Sequence, residues 1–118
     1  MSLIKNNNPT QTKSWKELDQ HFNEIKEQSL IDLFKKESNR LAYLSFDEGN
    51  FYFDFSKNHL TKKTLSLFAS LANEMGLIEA KKTLFEGQKI NKTEDRAVLH
   101  TALRNLKNKP IILDGESL

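Results

Sequence analysis

Apolar residues recur at helical spacing along most of the chain and alternate with polar residues in one short stretch. The first apolar set recurs every three or four positions and consists of Trp15, Leu18, Phe22 and Ile25. This spacing predicts one apolar face of a helix. We expect the helix to begin at Ser14, because Ser14 and Glu17 match the S-x-x-E capping box. A second, short helix is predicted to begin after Ser29.

Two aromatic-rich runs predict a β-hairpin. They cover residues 41–46 and 51–55, and Asp47-Glu48-Gly49-Asn50 separates them as a turn. Alternation of aromatic and other side chains in the second run indicates a strand. We expect Trp15 and the eight phenylalanines to be core residues, because their spacing is typical of buried faces.

Three further helices are predicted after the hairpin. Thr61 is the expected cap of a helix over residues 62–75 that ends at Gly76. Its apolar residues cover about half of the helical circumference, so we expect burial on more than one side. A helix over 78–86 ends at Gly87, and the last helix is capped by Thr93 and runs to Arg104. A short strand at 110–113 and a turn beginning at 114–115 complete the prediction.

Composition narrows the possible classes of protein. The chain has 118 residues, 37% of them hydrophobic, and its net charge is 18 − 16 = +2. This balance argues against a strongly basic nucleic-acid binder. The absence of cysteine excludes a disulfide scaffold and a cysteine nucleophile. We expect a mobile polar leader at 1–13, no membrane span, no signal peptide and a cytoplasmic location.

One row of side chains on the last predicted helix is a candidate site. Arg96, His100 and Arg104 are spaced at i, i+4 and i+8 and would share one face. They would form either a solvated face or a docking row that meets carboxylates, carbonyls or a phosphate. The three histidines have no metal-ligand spacing, and no glycine-rich phosphate loop is present. We therefore assign no catalytic, cofactor-binding or metal-binding residue.

Residues 87–104 carry a recognisable motif. They read G-Q-K-I-N-K-T-E-D-R-A-V-L-H-T-A-L-R. This stretch strongly resembles the first signature block of the glucose-6-phosphate isomerase (phosphoglucose isomerase) family, G-x-x-I-N-x-T-E-x-R-A-V-L-H-x-A-L-R. Residues 54–58, D-F-S-K-N, resemble the family's D-Y/F-S-K-N segment, and residues 110–115 resemble the block that follows.

The resemblance implies an architecture and a reaction. Family members have several hundred residues and two sugar-isomerase domains, so residues 14–118 would be an α+β fragment of a parent α/β protein. The predicted strand and turn lead to no further element, so we expect the chain to stop before the first of those domains. The implied reaction interconverts glucose 6-phosphate and fructose 6-phosphate through a cis-enediol, without a metal or organic cofactor. The implied assembly is a homodimer.

The family's catalytic residues match no position of this sequence, so the resemblance implies that the chain alone is inactive. Arg96, His100 and Arg104 match motif positions, and we expect them to anchor this segment near the active site. Two other classes remain open: a free-standing helical protein-interaction module, and, less favoured by the charge, an RNA-binding domain.

Overall fold

The structure, a computed structural model, describes residues 8–91, 93–104, 106, 110, 112–113 and 116–117. The described residues divide into two compact units, one at 8–71 and the other from residue 72 onward. The helices and strands are α1 (Lys13–Ile25), α2 (Leu30–Lys36), α3 (Arg40–Leu44), β1 (Ser45–Glu48), β2 (Phe51–Asp54), α4 (Lys62–Glu74), α5 (Leu77–Phe85), β3 (Ile112–Leu113) and β4 (Glu116–Ser117). Helices plus an antiparallel hairpin give an α+β composition, as predicted. None of the helices in these ranges is long and apolar enough to cross a membrane.

Helix α1 forms as predicted, but its cap is different. The Thr12 hydroxyl accepts the amide of Trp15 at 3.2 Å, so the capping box predicted at Ser14 is wrong. Glu17 instead forms an ion pair with Lys13 one turn earlier. Ahead of the helix, Pro9–Gln11 form a 3-10 turn capped by Asn8, and residues 1–7 lie outside the described residues.

Helix α2 begins after Ser29, as predicted, with a complete capping box. The Ser29 hydroxyl accepts the Asp32 amide at 3.1 Å, and the Asp32 carboxylate accepts the Ser29 amide at 3.3 Å. The carboxylate also accepts the Ser29 hydroxyl at 2.7 Å, and this bond holds the pKa of Asp32 below its ordinary value. Two amides that would otherwise lack partners are thereby satisfied.

The hairpin is confirmed over a shorter range than predicted. Strands β1 and β2 pair antiparallel, with Phe46 opposite Phe53 and Glu48 opposite Phe51. Residues 41–44, predicted as strand, belong instead to the helical turn α3. Leu and Ala favour a helix locally, and the buried side chain of Arg40 fixes the first residue of this turn, as described below.

Aromatic side chains of the hairpin stack on one another instead of entering a core. The rings of Phe46, Phe53 and Phe55 lie nearly parallel, with centroids 5.0 to 6.4 Å apart, and Phe51 extends the row. These four rings are 37% to 69% exposed. Trp15 and the other phenylalanines are also exposed, so the prediction that they are core residues is wrong for this chain by itself.

Helix α4 has the predicted ends but not the predicted burial. Thr61 caps it through the Thr64 amide, and Gly76 follows it with a φ of 70°, which glycine adopts without strain. Leu65 and Phe68 are 38% and 47% exposed, so burial on more than one side is wrong for the described residues. The buried hydrophobic side chains of those residues are Ile25, Leu33 and Leu44, all within the unit at 8–71.

Beyond residue 72, regular structure is sparse. Helix α5 ends before Gly87, which has a φ of 69°, as the sequence predicts. The predicted strand at 110–113 is present at Ile112–Leu113, where β3 pairs with β4. The predicted turn at Asp114-Gly115 lies outside the described residues.

Candidate functional site

The segment that was predicted to carry the docking row is not an α-helix. Asn91 and Arg96 exchange two backbone hydrogen bonds of 3.0 and 3.1 Å, which close a tight turn. The Asn91 side chain accepts the amides of Thr93 and Glu94, and Asp95 has a φ of 51°. A left-handed residue interrupts a helix. The prediction of a helix from Thr93 to Arg104 is therefore wrong in the part of this segment that the structure describes.

An ion pair fixes the outside of this turn. Lys89 Nζ lies 2.7 Å from Asp95 Oδ2, and both side chains are largely exposed. Beside the pair is an open depression of about 330 Å³, which Lys89, Asp95, Arg96, Ala97, Leu99 and Leu113 line. The depression therefore combines two cationic side chains with an apolar floor.

The three candidate residues do not form one row. Arg96 closes the turn at Asn91, His100 lies in a separate turn, and Arg104 ends a single 3-10 turn at Ala102–Arg104. All three are exposed, and none of the ion pairs formed by the described residues includes them. The docking role of these three residues stays a prediction.

A buried arginine that the sequence did not single out organises the D-F-S-K-N segment. Arg40 is only 1% exposed. Its guanidinium donates to three backbone carbonyls, those of Ser56 at 2.8 Å, Asn58 at 2.5 Å and Leu60 at 2.6 Å. It also donates to the Glu37 carboxylate at 2.9 Å. The planar fork of donors suits arginine to such a set of acceptors, and lysine would not reproduce it.

Neighbouring groups support the hydrogen bonds by which Arg40 holds residues 56–60, a set of contacts that we call the Arg40 clamp. The Glu37 carboxylate also accepts the Tyr43 hydroxyl at 2.6 Å. Burial and this carboxylate raise the pKa of Tyr43. On the loop itself, the Asp54 carboxylate accepts the Ser56 amide at 2.8 Å, and hydrogen bonds from Ser56 hold the pKa of Asp54 below its ordinary value. The loop backbone thus has a fixed path, with Lys57 exposed on it.

A second polar network joins α1 to α4. His21 is 3% exposed, and its Nε2 lies 2.8 Å from the Thr64 hydroxyl while its Nδ1 lies 3.1 Å from Glu24. Lys63 donates to the same Glu24 carboxylate at 2.6 Å, and Lys63, then His21, lower the pKa of Glu24. Both ring nitrogens of His21 thereby have hydrogen-bond partners within the protein, and these contacts link α1 to α4.

The hydrogen-bond networks of Arg40 and His21 stabilise the fold and are not placed to act on a substrate. Nearly complete burial removes both Arg40 and His21 from contact with a bound molecule. Among the residues that the structure describes, no group of three or more His, Asp or Glu side chains is placed to hold a metal ion. No signal near Arg40 in the sequence distinguishes it from a surface arginine, because the carbonyls that it binds lie 16 to 20 residues away. His21 is likewise not distinguished by the sequence, because its partner Thr64 lies 43 residues away.

Comparison with known protein families agrees with the motifs. A sequence model of the family described as phosphoglucose isomerase matches residues 54–118. The match begins at Asp54, the first residue of the loop that Arg40 holds, and includes the turn at Asn91 and Arg96. It covers more than half of the 118 residues. The chain belongs to the phosphoglucose isomerase family.

Proposed function

We propose that this chain is the N-terminal part of a glucose-6-phosphate isomerase that interconverts glucose 6-phosphate and fructose 6-phosphate. The observation that carries the proposal is the family match over residues 54–118, together with the signature motif at 87–104. A positioned base moves a proton between two sugar carbons in this reaction, and a fixed donor stabilises the enediolate. Nothing in the reaction calls for a metal or organic cofactor.

The 118-residue chain alone is inactive under this proposal. In its described residues the most nearly buried histidine, His21, has hydrogen-bond partners on both ring nitrogens. The open depression at Lys89 and Arg96 contains Asp95, but that carboxylate is paired with Lys89. The base and the phosphate site belong to the sugar-isomerase domains that the family resemblance implies.

The role of this segment is then to support those domains. The exposed phenylalanines form apolar surface that is costly when free and useful at an interface. We place the exposed side chains of Arg96, His100 and Arg104 against acidic groups of the catalytic domains, close to the active site. The working enzyme is a cytoplasmic homodimer.

A coupled assay tests the proposal. The polypeptide translated from the complete reading frame that contains this sequence is expected to convert fructose 6-phosphate to glucose 6-phosphate. The 118-residue chain, assayed at the same molar concentration, is expected to give only the background rate. Activity in the short chain, or none in the longer polypeptide, would contradict the proposal.

Charge removal tests the docking role. In the complete enzyme, Arg96→Ala is expected to lower the melting temperature or the turnover number, because a carboxylate on the other side loses its partner. Lys16→Ala, which removes an exposed cation outside the residues that the family model matches, is the matched control. Equal melting temperatures and turnover numbers for Arg96→Ala and the control would show that Arg96 is only solvated.

A further inference from the structure

The D-F-S-K-N loop presents one cation at the tip of a tight turn. The Asn58 amide donates to the Phe55 carbonyl at 3.0 Å and closes a β-turn whose two central residues are Ser56 and Lys57. Ser56 is buried, whereas Lys57 is exposed. Lys57 is also the only lysine or arginine of residues 45–58. The turn therefore displays a single positive charge.

Hydrogen bonds fix the backbone on both sides of Lys57. Before it, the Ser56 carbonyl accepts from Arg40 at 2.8 Å, and the Ser56 amide donates to Asp54 at 2.8 Å. After it, the Asn58 carbonyl accepts from Arg40 at 2.5 Å. Binding by a preorganised loop loses less conformational entropy than binding by a flexible one. The Arg40 clamp therefore prepares the turn for a contact made by its exposed side chain.

The neighbours of Lys57 in the motif have contacts within this chain. Asp54 and Ser56 bond to each other, and Phe55 belongs to the stacked aromatic row. Asn58 closes the turn. Hydrogen bonds from Ser56, and then the charge of Lys57, lower the pKa of Asp54. Even so, none of the ion pairs formed by the described residues includes Lys57.

We propose that Lys57 binds a carboxylate of the catalytic domains in the complete enzyme. Binding and catalytic residues commonly lie on loops that a rigid scaffold positions, and Lys57 is the exposed charge of such a loop. The inference rests on the part of the proposed function that makes this chain the N-terminal part of a longer enzyme. It adds to that interface a cation that lies outside the signature motif at 87–104.

The turn suits a carboxylate better than the phosphate of a sugar. Phosphate groups are typically bound by several donors that converge on them, including backbone amides. Here the amides of Ser56 and Asn58 already donate within the loop, and no second cation lies in residues 45–58. One ammonium group is sufficient to pair with one carboxylate.

Comparison of the short and the complete polypeptide tests the proposal. Lys57→Met and the control Lys16→Met each remove an exposed cation that joins none of the ion pairs of the described residues. Thermal unfolding is followed by far-UV circular dichroism. In the complete polypeptide, Lys57→Met should melt about 2–4 °C below Lys16→Met, as expected for one lost charge-assisted contact. In the 118-residue chain, which lacks the carboxylate, the two variants should melt at the same temperature.

Charge and salt identify the kind of contact. In the complete polypeptide, Lys57→Arg keeps a cation and should melt close to the parent. Lys57→Glu should melt below Lys57→Met, because it places a second carboxylate against the first. The difference between the parent and Lys57→Met should shrink in 1 M salt, where electrostatic screening acts within about 3 Å.

Three results would overturn the proposal. Equal melting temperatures of Lys57→Met and Lys16→Met in the complete polypeptide would show that Lys57 is only solvated. An equal loss in the 118-residue chain would place its partner within that chain. A raised KM for fructose 6-phosphate with an unchanged melting temperature would identify the substrate's phosphate as the anion.

The melting experiment is independent of catalysis. A complete polypeptide that is inactive but shows the expected shifts would remove the isomerase activity and leave the Lys57 contact in place. An active polypeptide without the shifts would do the reverse. The two proposals can therefore fail separately.

Discussion

Replacement of Arg40 tests the contact that organises the D-F-S-K-N loop. Arg40→Met keeps most of the side-chain volume and removes the guanidinium. Three carbonyls of residues 56–60 and the Glu37 carboxylate then lose a donor. Each buried polar group left without a partner costs about 1–3 kcal/mol. Loss of one member of a buried charged pair typically costs about 3–5 kcal/mol in total.

The expected loss is therefore about 3–5 kcal/mol, because the contacts to Asn58 and Leu60 are only partly buried and water replaces some of them. A domain of this size has a total stability of about 5–15 kcal/mol. Urea unfolding followed by far-UV circular dichroism measures the effect. With a slope of about 1–3 kcal/mol per molar, the midpoint should fall by roughly 2 M.

Two further variants distinguish the loss of the hydrogen bonds made by Arg40 from the loss of its charge. In the 118-residue chain, where these unfolding measurements are made, Arg104→Met makes the same chemical change at an exposed arginine and should alter the free energy of unfolding by less than about 0.5 kcal/mol. Arg40→Lys keeps the charge but not the planar fork and should recover only a minor part of the loss. If Arg40→Met unfolds within about 0.5 kcal/mol of the parent protein, the clamp does not stabilise the loop.

Other contacts give further expectations. Thr64→Val removes a buried hydroxyl from His21 and should lower the free energy of unfolding by about 1–3 kcal/mol, whereas Glu24→Gln, at an exposed ion pair, should lower it by clearly less; equal urea midpoints for the two variants would contradict this network. Ser29→Ala should cost about 0.5–2 kcal/mol and reduce helicity by circular dichroism, and an unchanged spectrum and midpoint would show that the cap is dispensable. The pKa of Asp54 lies below its ordinary value of 3.8, so its contribution to stability is present above that value and is lost as the pH falls through the lower, folded-state pKa. Melting temperatures between about pH 2 and 6 should therefore depend less on pH in Asp54→Asn than in the parent, and identical profiles would contradict the assignment.

Local signals predicted the elements whose stabilising contacts are local. Helix α2 has its capping residue and its capping carboxylate within four positions of each other. Helices α4 and α5 are each followed by a glycine with a positive φ, and the hairpin turn contains Gly49 with a φ of 60°. Because a positive φ favours glycine, the hairpin turn and the ends of these two helices could be predicted from the sequence alone.

The wrong predictions have more than one cause. Arg40 bonds to carbonyls 16 to 20 positions away, so the sequence around it gave no reason to replace a strand by the helical turn α3. At residues 91–96, Asn91 competes with Thr93 for the role of cap and binds the Arg96 backbone, which the helical periodicity did not reveal. The predictions of burial for α4 and for the aromatic residues were also wrong. Apolar spacing identifies the face of a helix or strand that packs against something, but it does not identify the surface that covers that face.

Glucose 6-phosphate in heavy water, followed by proton NMR, tests the family function most directly. With the polypeptide encoded by the complete reading frame, the account predicts that fructose 6-phosphate forms and that the glucose 6-phosphate remaining at equilibrium loses the signal of its carbon 2 proton, since the base exchanges that proton for deuterium while the enediol is present. If that polypeptide is folded and leaves both the carbon 2 proton and the sugar unchanged, then this member of the family is not an isomerase.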